Sequence, residues 1–332
     1  MINLGTITTQ PKISLTTSQL SRANCWDHIL ARLGYRRSEH RVEPGLYAIG
    51  KPTSDSQVFV TANYSLSFDA LRSNLEGKDG YILVLDTQGV NVWCAAGKKT
   101  FGTEEVVLRV IGTQLKKIVN HRVLILPQLG APGVAYQEVK KRTGFKVEFG
   151  PVRAADLPEY LKTHQATPDM RRVKFTVRDR LALIPVDLFR LLLPGLLVAL
   201  VVYFLLGGLI PALSVLAALF SAGILFPLLL PWLPTHNFST KGYFLGFLTA
   251  LPFALSVFSR HPDRSWYHQG ALGVGFLLAM PAVIAYITLN FTGSSTFTSK
   301  TGVRREMFAY LPFMAWTFAV GTILLVTSVF IH

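Results

Sequence analysis

The sequence predicts an α/β domain followed by an all-α membrane domain of five helices. The first observation is the distribution of charge: residues 1–185 hold 26 of the 33 Lys and Arg and 16 of the 19 Asp and Glu, whereas residues 186–332 hold only ten charged residues. The second is the pattern of apolar runs. These runs are short and separated by turn residues in the first half, and they are long enough to cross a bilayer in the second.

The membrane half contains five apolar runs, at about 187–206, 210–233, 243–259, 271–291 and 308–331. Pro227 and Pro231 in the second run predict a kink or an early end of that span. We therefore predict a soluble domain over 1–165, a basic juxtamembrane linker over 166–186 and a membrane domain over 187–332.

Loop charges predict the orientation in the membrane. With the N-terminal domain in the cytoplasm, the inner segments carry nine basic residues and the outer loops carry only Arg260 and Arg264. We therefore expect a multi-pass protein of the inner, cytoplasmic membrane with its C-terminus outside. The polar, Thr-rich start has no signal-peptide pattern, so Cys25 and Cys94 are expected as thiols in a reducing compartment.

Composition excludes several classes of protein. With 50% hydrophobic and 16% charged residues, the chain is neither disordered nor wholly soluble. Two cysteines exclude a disulfide scaffold, a zinc-finger array and an iron–sulfur cluster held by four thiolates of this chain. The net charge of +14 includes a basic cluster at 171–180 beside the first span, which favours anionic lipid. No interleaving of basic and aromatic residues indicates nucleic acid.

The soluble half alternates predicted strands with predicted helices. Strands are expected at 58–61, 81–86, 123–126 and 146–149, and helices at 67–75, 103–120 and 132–142. Such alternation predicts a parallel sheet, in which ligands bind at the carboxyl ends of the strands. The segments 62–64, 87–99, 127–134 and 150–155 then meet at one edge. The chain lacks GxGxxG and GxxxxGK[ST], so neither a dinucleotide fold nor a P-loop is indicated.

The most informative segment is Asn91-Val92-Trp93-Cys94-Ala95-Ala96-Gly97-Lys98. It predicts a short helix over 92–96 that Gly97 ends, placed at the ligand edge of the sheet. By position alone Cys94 is a small buried hydrophobe, which is the common role of a free cysteine. Cys25, beside Trp26, is expected to be a packed core thiol.

This eight-residue motif resembles the cap-helix signature of the corrinoid protein of microbial mercury methylation, the HgcA family. Strings at 60–64, 126–134 and 290–299 also resemble that family. The soluble half is in addition similar to the corrinoid domain of the corrinoid iron–sulfur protein of acetyl-CoA synthesis, which has no cysteine on its cap helix.

The resemblance implies a Rossmann-like corrinoid-binding domain with a base-off corrinoid, whose cobalt takes the Cys94 thiolate as its lower axial ligand. The activity implied is methyl transfer to inorganic Hg(II). Implied partners are a ferredoxin with two [4Fe–4S] clusters (HgcB-type), a methyltetrahydrofolate-linked methyl donor and the lipid bilayer. The expected cofactor contacts are the motif itself with four loop residues: Asn91, Val92, Trp93, Cys94, Ala95, Ala96, Gly97, Lys98, Thr61, Asn63, Gln128 and Gly130.

Two alternatives stay open at this stage. The chain could be a corrinoid methyl carrier whose physiological acceptor is not mercury, and every residue above would serve that role equally. It could also be a non-enzymatic membrane protein with an α/β sensor domain. The second alternative predicts no cobalt and full tolerance of Cys94→Ala.

Overall fold

The computed structural model describes residues 12–260, 262–291 and 300–330, and it divides into two compact units after Val173. The first unit has six strands among its described residues: β1 (Ile13–Thr16), β2 (Gly45–Ile49), β3 (Gln57–Ala62), β4 (Gly80–Leu85), β5 (Val123–Leu126) and β6 (Lys146–Phe149). Its helices are α1 (Arg22–Leu33), α2 (Ser65–Ser73), α3 (Val92–Lys98), α4 (Thr103–Gly112), α5 (Tyr136–Thr143), α6 (Leu157–Thr163) and α7 (Pro168–Arg171).

The strands form one sheet in the order β1-β2-β4-β3-β5-β6. Strands β4, β3, β5 and β6 run parallel, and β2 pairs antiparallel with β4. The four predicted strands are the four parallel ones, so their carboxyl ends do share one edge. Two strands were missed, and the prediction of a wholly parallel sheet was wrong at β2. Strand β1 is a short, half-exposed edge strand, and β2, which lies between β1 and β4, begins with half-buried and buried residues in alternation.

The central strands are buried on both faces. All six residues of β4, Gly-Tyr-Ile-Leu-Val-Leu, are buried, because helices cover both sides of this strand. One core lies under α3, α4 and α5 and includes Phe101 and Phe145. The other lies under α2 and α6 and includes Phe68 and Tyr160. The sheet is thus a rigid platform whose loops can carry a site.

The predicted helices differ from the observed ones in their bounds. The helix expected at 67–75 is α2, Ser65–Ser73, and the helix expected at 132–142 is α5, which begins only at Tyr136. Helix α4 ends at Gly112 instead of 120, and a short 3-10 turn, Leu115–Lys117, follows it. Helix α3 continues through Gly97 and ends where Lys99 adopts a left-handed conformation with φ of 65°. Thr103 was expected as the N-cap of α4, but the N-cap is Gly102 and Thr103 is the first helical residue. Glu104 and Glu105 lie in the first turn as expected, where the helix dipole favours acids.

Among its described residues the second unit is helical, and five helical stretches are long and apolar enough to cross a membrane, as predicted. They cover Val177–Leu205, Leu209–Leu229, Phe238–Arg260, Trp266–Asn290 and Thr301–Ser328. The elements are α8 (Val177–Leu181), α9 (Ile184–Leu205), α10 (Leu209–Phe220), α11 (Phe226–Leu229), α12 (Phe238–Arg260), α13 (Trp266–Asn290) and α14 (Lys300–Phe330). The second span ends at Leu229, before Pro231, as the prolines predict.

Small residues bring α12, α13 and α14 close together. A Cβ on Gly242 would lie 2.6 Å from the Ala285 Cα, and one on Gly321 would lie 2.6 Å from the Ala279 nitrogen. Such close backbone approach is typical of helices packed in lipid. Buried Lys241 donates to the carbonyls of Leu230 and Leu233 at 2.8 and 2.9 Å. The predicted cytoplasmic loop at 292–305 lies largely outside the described residues.

Candidate functional site

An apolar cleft opens at the shared carboxyl edge of the parallel strands. It has a volume of about 270 Å³ and lies between α2, the start of α3 and the segments after β5 and β6. Its lining includes Thr61, Ala70, Trp93, Leu126 and Val152. This volume is just below the range of roughly 300–1,000 Å³ found for small-molecule pockets, so the cleft accommodates a flat group rather than a whole macrocycle.

The predicted motif forms the cap over this cleft. Asn91 is the N-cap of α3, and its side-chain oxygen accepts a hydrogen bond from the Cys94 backbone nitrogen at 2.9 Å. Asn91, Val92 and Trp93 line the cleft. Cys94 follows directly and is half-buried, which leaves its thiol neither sealed in the core nor fully exposed. The cap hydrogen bond fixes the backbone that carries this thiol.

The underside of α3 is packed against the domain. Ala95 and Ala96 are buried in the core under the helix. A Cβ on Gly133 would lie 3.0 Å from the Ala96 Cα and 2.2 Å from the Phe101 carbonyl oxygen, so only glycine allows the helix to sit this close. The structure therefore gives the two alanines a packing role. Their predicted contact with a cofactor stays a prediction, as it does for the exposed Gly97 and Lys98.

Asn63 is the hub of the turn that leads into α3. Its side-chain oxygen accepts from the Thr87 nitrogen at 3.0 Å, the Thr87 hydroxyl at 2.9 Å and the Gly89 nitrogen at 3.0 Å. Its amide nitrogen donates to Asp86 at 3.2 Å. Asn63 is 1% exposed, so these contacts hold the turn from inside. The described contacts make Asn63 a positioning residue for the cap, a role that the sequence did not indicate.

The loop after α1, residues 34–44, contacts the same turn. The Val42 nitrogen donates to the Asn63 carbonyl at 2.9 Å. A Cβ on Gly89 would lie 3.3 Å from the Ser38 carbonyl oxygen. In this loop both ring nitrogens of buried His40 face acceptors, Asp27 Oδ1 at 2.6 Å and the Tyr35 carbonyl at 2.6 Å. Each nitrogen therefore carries a proton, and the imidazole is a cation.

The pKa values of this pair agree with that assignment. Burial alone would lower the pKa of His40, but hydrogen bonds to Asp27 and to the Tyr35 carbonyl outweigh burial and raise it. Burial would likewise raise the pKa of Asp27, but hydrogen bonds from the Ser65 hydroxyl and from His40 lower it. The ion pair thus ties α1 and α2 to the loop behind the cap.

The segment after β5 leaves one polar atom without a partner. Gln128 Oε1 is buried and has no hydrogen-bond partner within the part of the chain that the structure describes. The Gln128 nitrogen donates to the Pro151 carbonyl at 3.3 Å, which joins two of the loops at the cleft edge. An orphaned buried acceptor is costly unless a bound group donates to it. Gln128 does not itself line the cleft, although its neighbours Pro127 and Leu129 do. Its predicted contact with a cofactor stays a prediction.

Gly130 packs against a buried ring, and its predicted contact with a cofactor stays a prediction. A Cβ at this position would lie 2.5 Å from Cε1 of buried Phe101, and Gly130 does not line the cleft. A larger residue would displace the Phe101 ring and not crowd the cleft edge. The expectation for Cys25 was wrong: its thiol is exposed, as is Trp26, because this side of α1 faces away from the domain.

Several cleft residues were not predicted. Ser67, Ala70 and Leu71 enter from α2, and Leu157 enters from the start of α6. Their signal in the sequence is weak, because α2 presents a face set only by the register of the helix on the sheet. Among the described residues no group of three or more His, Cys, Asp or Glu is arranged to hold a metal ion directly.

Comparison with known proteins finds relatives of the first unit. The family model described as CO dehydrogenase/acetyl-CoA synthase delta subunit covers residues 34–161. The acetyl-CoA decarbonylase/synthase complex subunit gamma of Methanopyrus kandleri is 35% identical over 128 residues, which are 38% of this chain and 27% of that protein. The subunit gamma of Archaeoglobus fulgidus is 34% identical over 128 residues, with the same coverage of each chain.

The chain spans about a quarter of the length of the curated relatives that it matches. The matched residues contain the cap helix, the Asn63 turn and the whole cleft. These matches support the predicted similarity of the soluble half to a protein of acetyl-CoA synthesis. Residues 34–161 are therefore a domain similar to the delta- and gamma-type subunits of the acetyl-CoA synthase complexes.

Proposed function

We propose that this protein is a membrane-anchored corrinoid protein that transfers a methyl group to inorganic Hg(II), with the Cys94 thiolate as the lower axial ligand of cobalt. The observation that carries the proposal is the motif from Asn91 to Lys98, which forms a capped helix over an apolar cleft. It does so in a domain similar to subunits of the acetyl-CoA synthase complexes.

The chain's residues fit the parts of a base-off corrinoid. The nucleotide base, once released from cobalt, is a flat aromatic group that needs an apolar site, and the cleft under Trp93 and Ala70 provides one. The side-chain amides of a bound corrinoid would carry N–H donors, and the unpartnered Oε1 of Gln128 would be an acceptor for one of them. Since Ala95 and Ala96 are buried on the inner side of α3, its outer side would hold the cofactor.

Cys94 supplies the chemistry that distinguishes this cap. A bound corrinoid supplies a cobalt centre that carries a methyl group between donor and acceptor. A thiolate is a soft, anionic ligand that pushes electron density onto the metal, so it favours release of the methyl group together with its bonding electrons. Hg(II) is an electrophile, so it would have to receive the methyl group as a carbanion or radical equivalent. Asn91 holds the thiolate in place through the Cys94 nitrogen.

The cycle requires partners outside this chain. If the methyl group left with its bonding electrons, cobalt would remain at +3 and would need two electrons before it could be remethylated. A chain with two cysteines cannot build an iron–sulfur cluster of four thiolates to supply them. We propose a ferredoxin with two [4Fe–4S] clusters as the reductant and a methyltetrahydrofolate-linked system as the methyl donor. By the charge of the loops, the corrinoid domain lies in the cytoplasm and the C-terminus outside the inner membrane.

A second candidate is a corrinoid methyl carrier with another acceptor. The similarity of residues 34–161 to acetyl-CoA synthase subunits favours methyl transfer in general and not mercury in particular. The two functions share the cofactor and differ only in the acceptor. Methyl transfer from the loaded protein to a thiol or metal acceptor other than Hg(II), with none to Hg(II), would establish the second.

The test uses the full chain purified without oxygen and loaded with corrinoid. Cobalt content and methylmercury formation from Hg(II), with a ferredoxin reductant, are measured for wild type, Cys94→Ala and Cys94→His. The matched control is Cys25→Ala, which removes the exposed thiol on α1. We expect wild type and Cys25→Ala to be active, and both Cys94 variants to bind cobalt without forming methylmercury. Activity of Cys94→Ala at the wild-type level would refute the role of Cys94.

A further inference from the structure

Helix α1 packs on the domain with its polar side and leaves its apolar side exposed. Its polar residues face inward, where Asp27 pairs with His40 and His28 contacts Asp69 of α2 at 2.8 Å. Its apolar residues face outward: Trp26 is 65% exposed and Ile29 is 46% exposed. Of the twelve residues of this helix only Ala31 is buried. An amphipathic helix normally places these two faces the other way round.

The exposed residues form one continuous apolar stripe. Positions 25, 26, 29 and 30 recur at helical spacing, so their side chains share one side of the helix. We refer to these four residues, Cys25, Trp26, Ile29 and Leu30, as the α1 outer face. Tyr35, which is 46% exposed, extends the apolar surface just beyond the helix.

Arginines border the α1 outer face at both ends. Between residues 20 and 37 the chain has four arginines, at 22, 32, 36 and 37, and a single carboxylate, Asp27. That carboxylate is already paired with His40 and with the Ser65 hydroxyl. Glu39, just beyond this stretch, is 3.4 Å from Arg36. The surface therefore presents exposed apolar groups inside a positive border.

We propose that the α1 outer face docks the soluble domain onto an anionic lipid surface. Trp and Tyr with aliphatic side chains insert at the boundary of headgroups and acyl chains, and arginines bind the anionic headgroups around them. The five apolar helices of the second unit hold the chain at a bilayer, so a lipid surface is always at high effective concentration. This inference is independent of the proposed corrinoid and mercury chemistry.

Docking has a measurable effect on α1 itself. A helix with one buried residue opens locally at low cost, so its amide hydrogens exchange readily in the undocked domain. Contact with lipid stabilises the closed helix and slows that exchange. The attraction depends on charge, and it therefore weakens when the screening length falls from about 10 Å at 0.1 M salt to about 3 Å at 1 M.

The experiment follows hydrogen exchange of α1 peptides in the full chain, reconstituted into nanodiscs of phosphatidylcholine alone or with one third phosphatidylglycerol. We expect exchange of α1 to be about fivefold slower or more with phosphatidylglycerol at 0.1 M salt, and the difference to disappear at 1 M. Peptides of the buried strand β4 report that the domain remains folded and exchange equally in both lipids.

Variants separate docking from a general lipid effect. Trp26→Ser with Ile29→Ser, and separately Arg32→Gln with Arg36→Gln and Arg37→Gln, should each abolish the slowing. The matched control is Leu108→Ser with Ile111→Ser, an apolar pair on α4 exposed by 59% and 61%, which should leave it unchanged. Equal exchange in both lipids, or slowing that survives both sets of variants, would overturn the proposal. Slowing that depends on protein concentration instead of lipid charge would assign the face to a second copy of the chain.

Discussion

Two segments at the carboxyl edge of the sheet, the turn after β4 and the segment after β5, differ in how their polar groups are hydrogen-bonded. On the cap side, the turn after β4 is closed by Asn63, whose oxygen and amide nitrogen are both used within the chain. On the cleft side, the segment after β5 leaves Gln128 Oε1 buried without a partner among the described residues. The cap side thus satisfies its polar groups within the chain, whereas the segment after β5 keeps one buried acceptor without a partner. Both residues are amides that follow a parallel strand, and only their three-dimensional surroundings separate them.

The largest effect on stability is expected for Asn63, in the turn that leads into α3. Asn63→Ala removes the acceptor of the Thr87 and Gly89 nitrogens, whereas the Thr87 hydroxyl keeps the Val90 carbonyl at 2.6 Å as its acceptor. The variant should lower the free energy of unfolding by about 2 kcal/mol or more, with faster exchange throughout the turn and α3. The measurement is urea-dependent hydrogen exchange of the full chain. Asn74→Ala, which removes one hydrogen bond at the end of α2, is the control and should cost under about 1 kcal/mol. Equal effects of the two variants would contradict the role of Asn63.

The next effect concerns the cleft. Ala70 is exposed and lines the cleft, so Ala70→Phe fills it without disturbing the core. If the nucleotide base binds there, affinity for cobalamin should fall about tenfold or more, while affinity for cobinamide, which lacks the base, should stay unchanged. Ser73→Phe, in the last turn of the same helix and outside the cleft lining, is the control. A parallel loss for both ligands would place the base elsewhere.

A smaller effect is expected for Gln128. Gln128→Met replaces an unsatisfied buried acceptor by an apolar group, so the ligand-free chain should become more stable by up to about 1 kcal/mol. Corrinoid affinity should fall, by about tenfold at most, because one hydrogen bond to the ligand is lost. Calorimetry and a binding titration measure the two quantities. Gln137→Met, at an exposed position, should change neither, and unchanged affinity in Gln128→Met would remove Gln128 from the site.

The smallest expected effect is a pH dependence of the contact between His40 and Asp27. The raised pKa of His40 means that its stabilisation is complete below about pH 6.5 and is lost as the pH rises through the raised value. The lowered pKa of Asp27 means that its stabilisation is complete above about pH 3.8 and is lost as the pH falls through the lowered value. Exchange of α1, corrected for its intrinsic pH dependence, should therefore speed up at high pH in wild type. His40→Gln should abolish that alkaline dependence, and a wild-type profile in this variant would contradict the assignment.

The sequence was sufficient for the features that depend on local pattern. Strands β3, β4 and β5 contain apolar runs, and the five spans are long apolar runs, so these elements were predicted with small errors at their ends. Strand β6, Lys-Val-Glu-Phe, was also predicted, although only one of its residues is buried. The helix that begins at Val92 was predicted from neighbouring residues, but its cap by Asn91 was not. Strands β1 and β2 were missed: β1 is half-exposed, and β2 begins with half-buried and buried residues in alternation.

Features that depend on long-range contacts could not be predicted. The Asn63 side chain is hydrogen-bonded to Thr87, 24 residues further along the chain. No residue near Asn63 in the sequence indicates this contact. Gly130 is required by the ring of Phe101, which is close only after folding. The polar side of α1 faces the domain because Asp27 and His28 find their partners there, His40 and Asp69. The apolar side of the helix is therefore exposed, and this depends on residues far away in the sequence.

The central claim is that Cys94, on a cap helix fixed from inside, binds the cobalt of a corrinoid. The most direct measurement is cobalt K-edge X-ray absorption of the loaded full chain. We predict sulfur scattering at cobalt in wild type and in Cys25→Ala, and its replacement by nitrogen or oxygen scattering in Cys94→Ala. Sulfur scattering that persists in Cys94→Ala, or is absent from wild type with cobalt bound, would contradict the account.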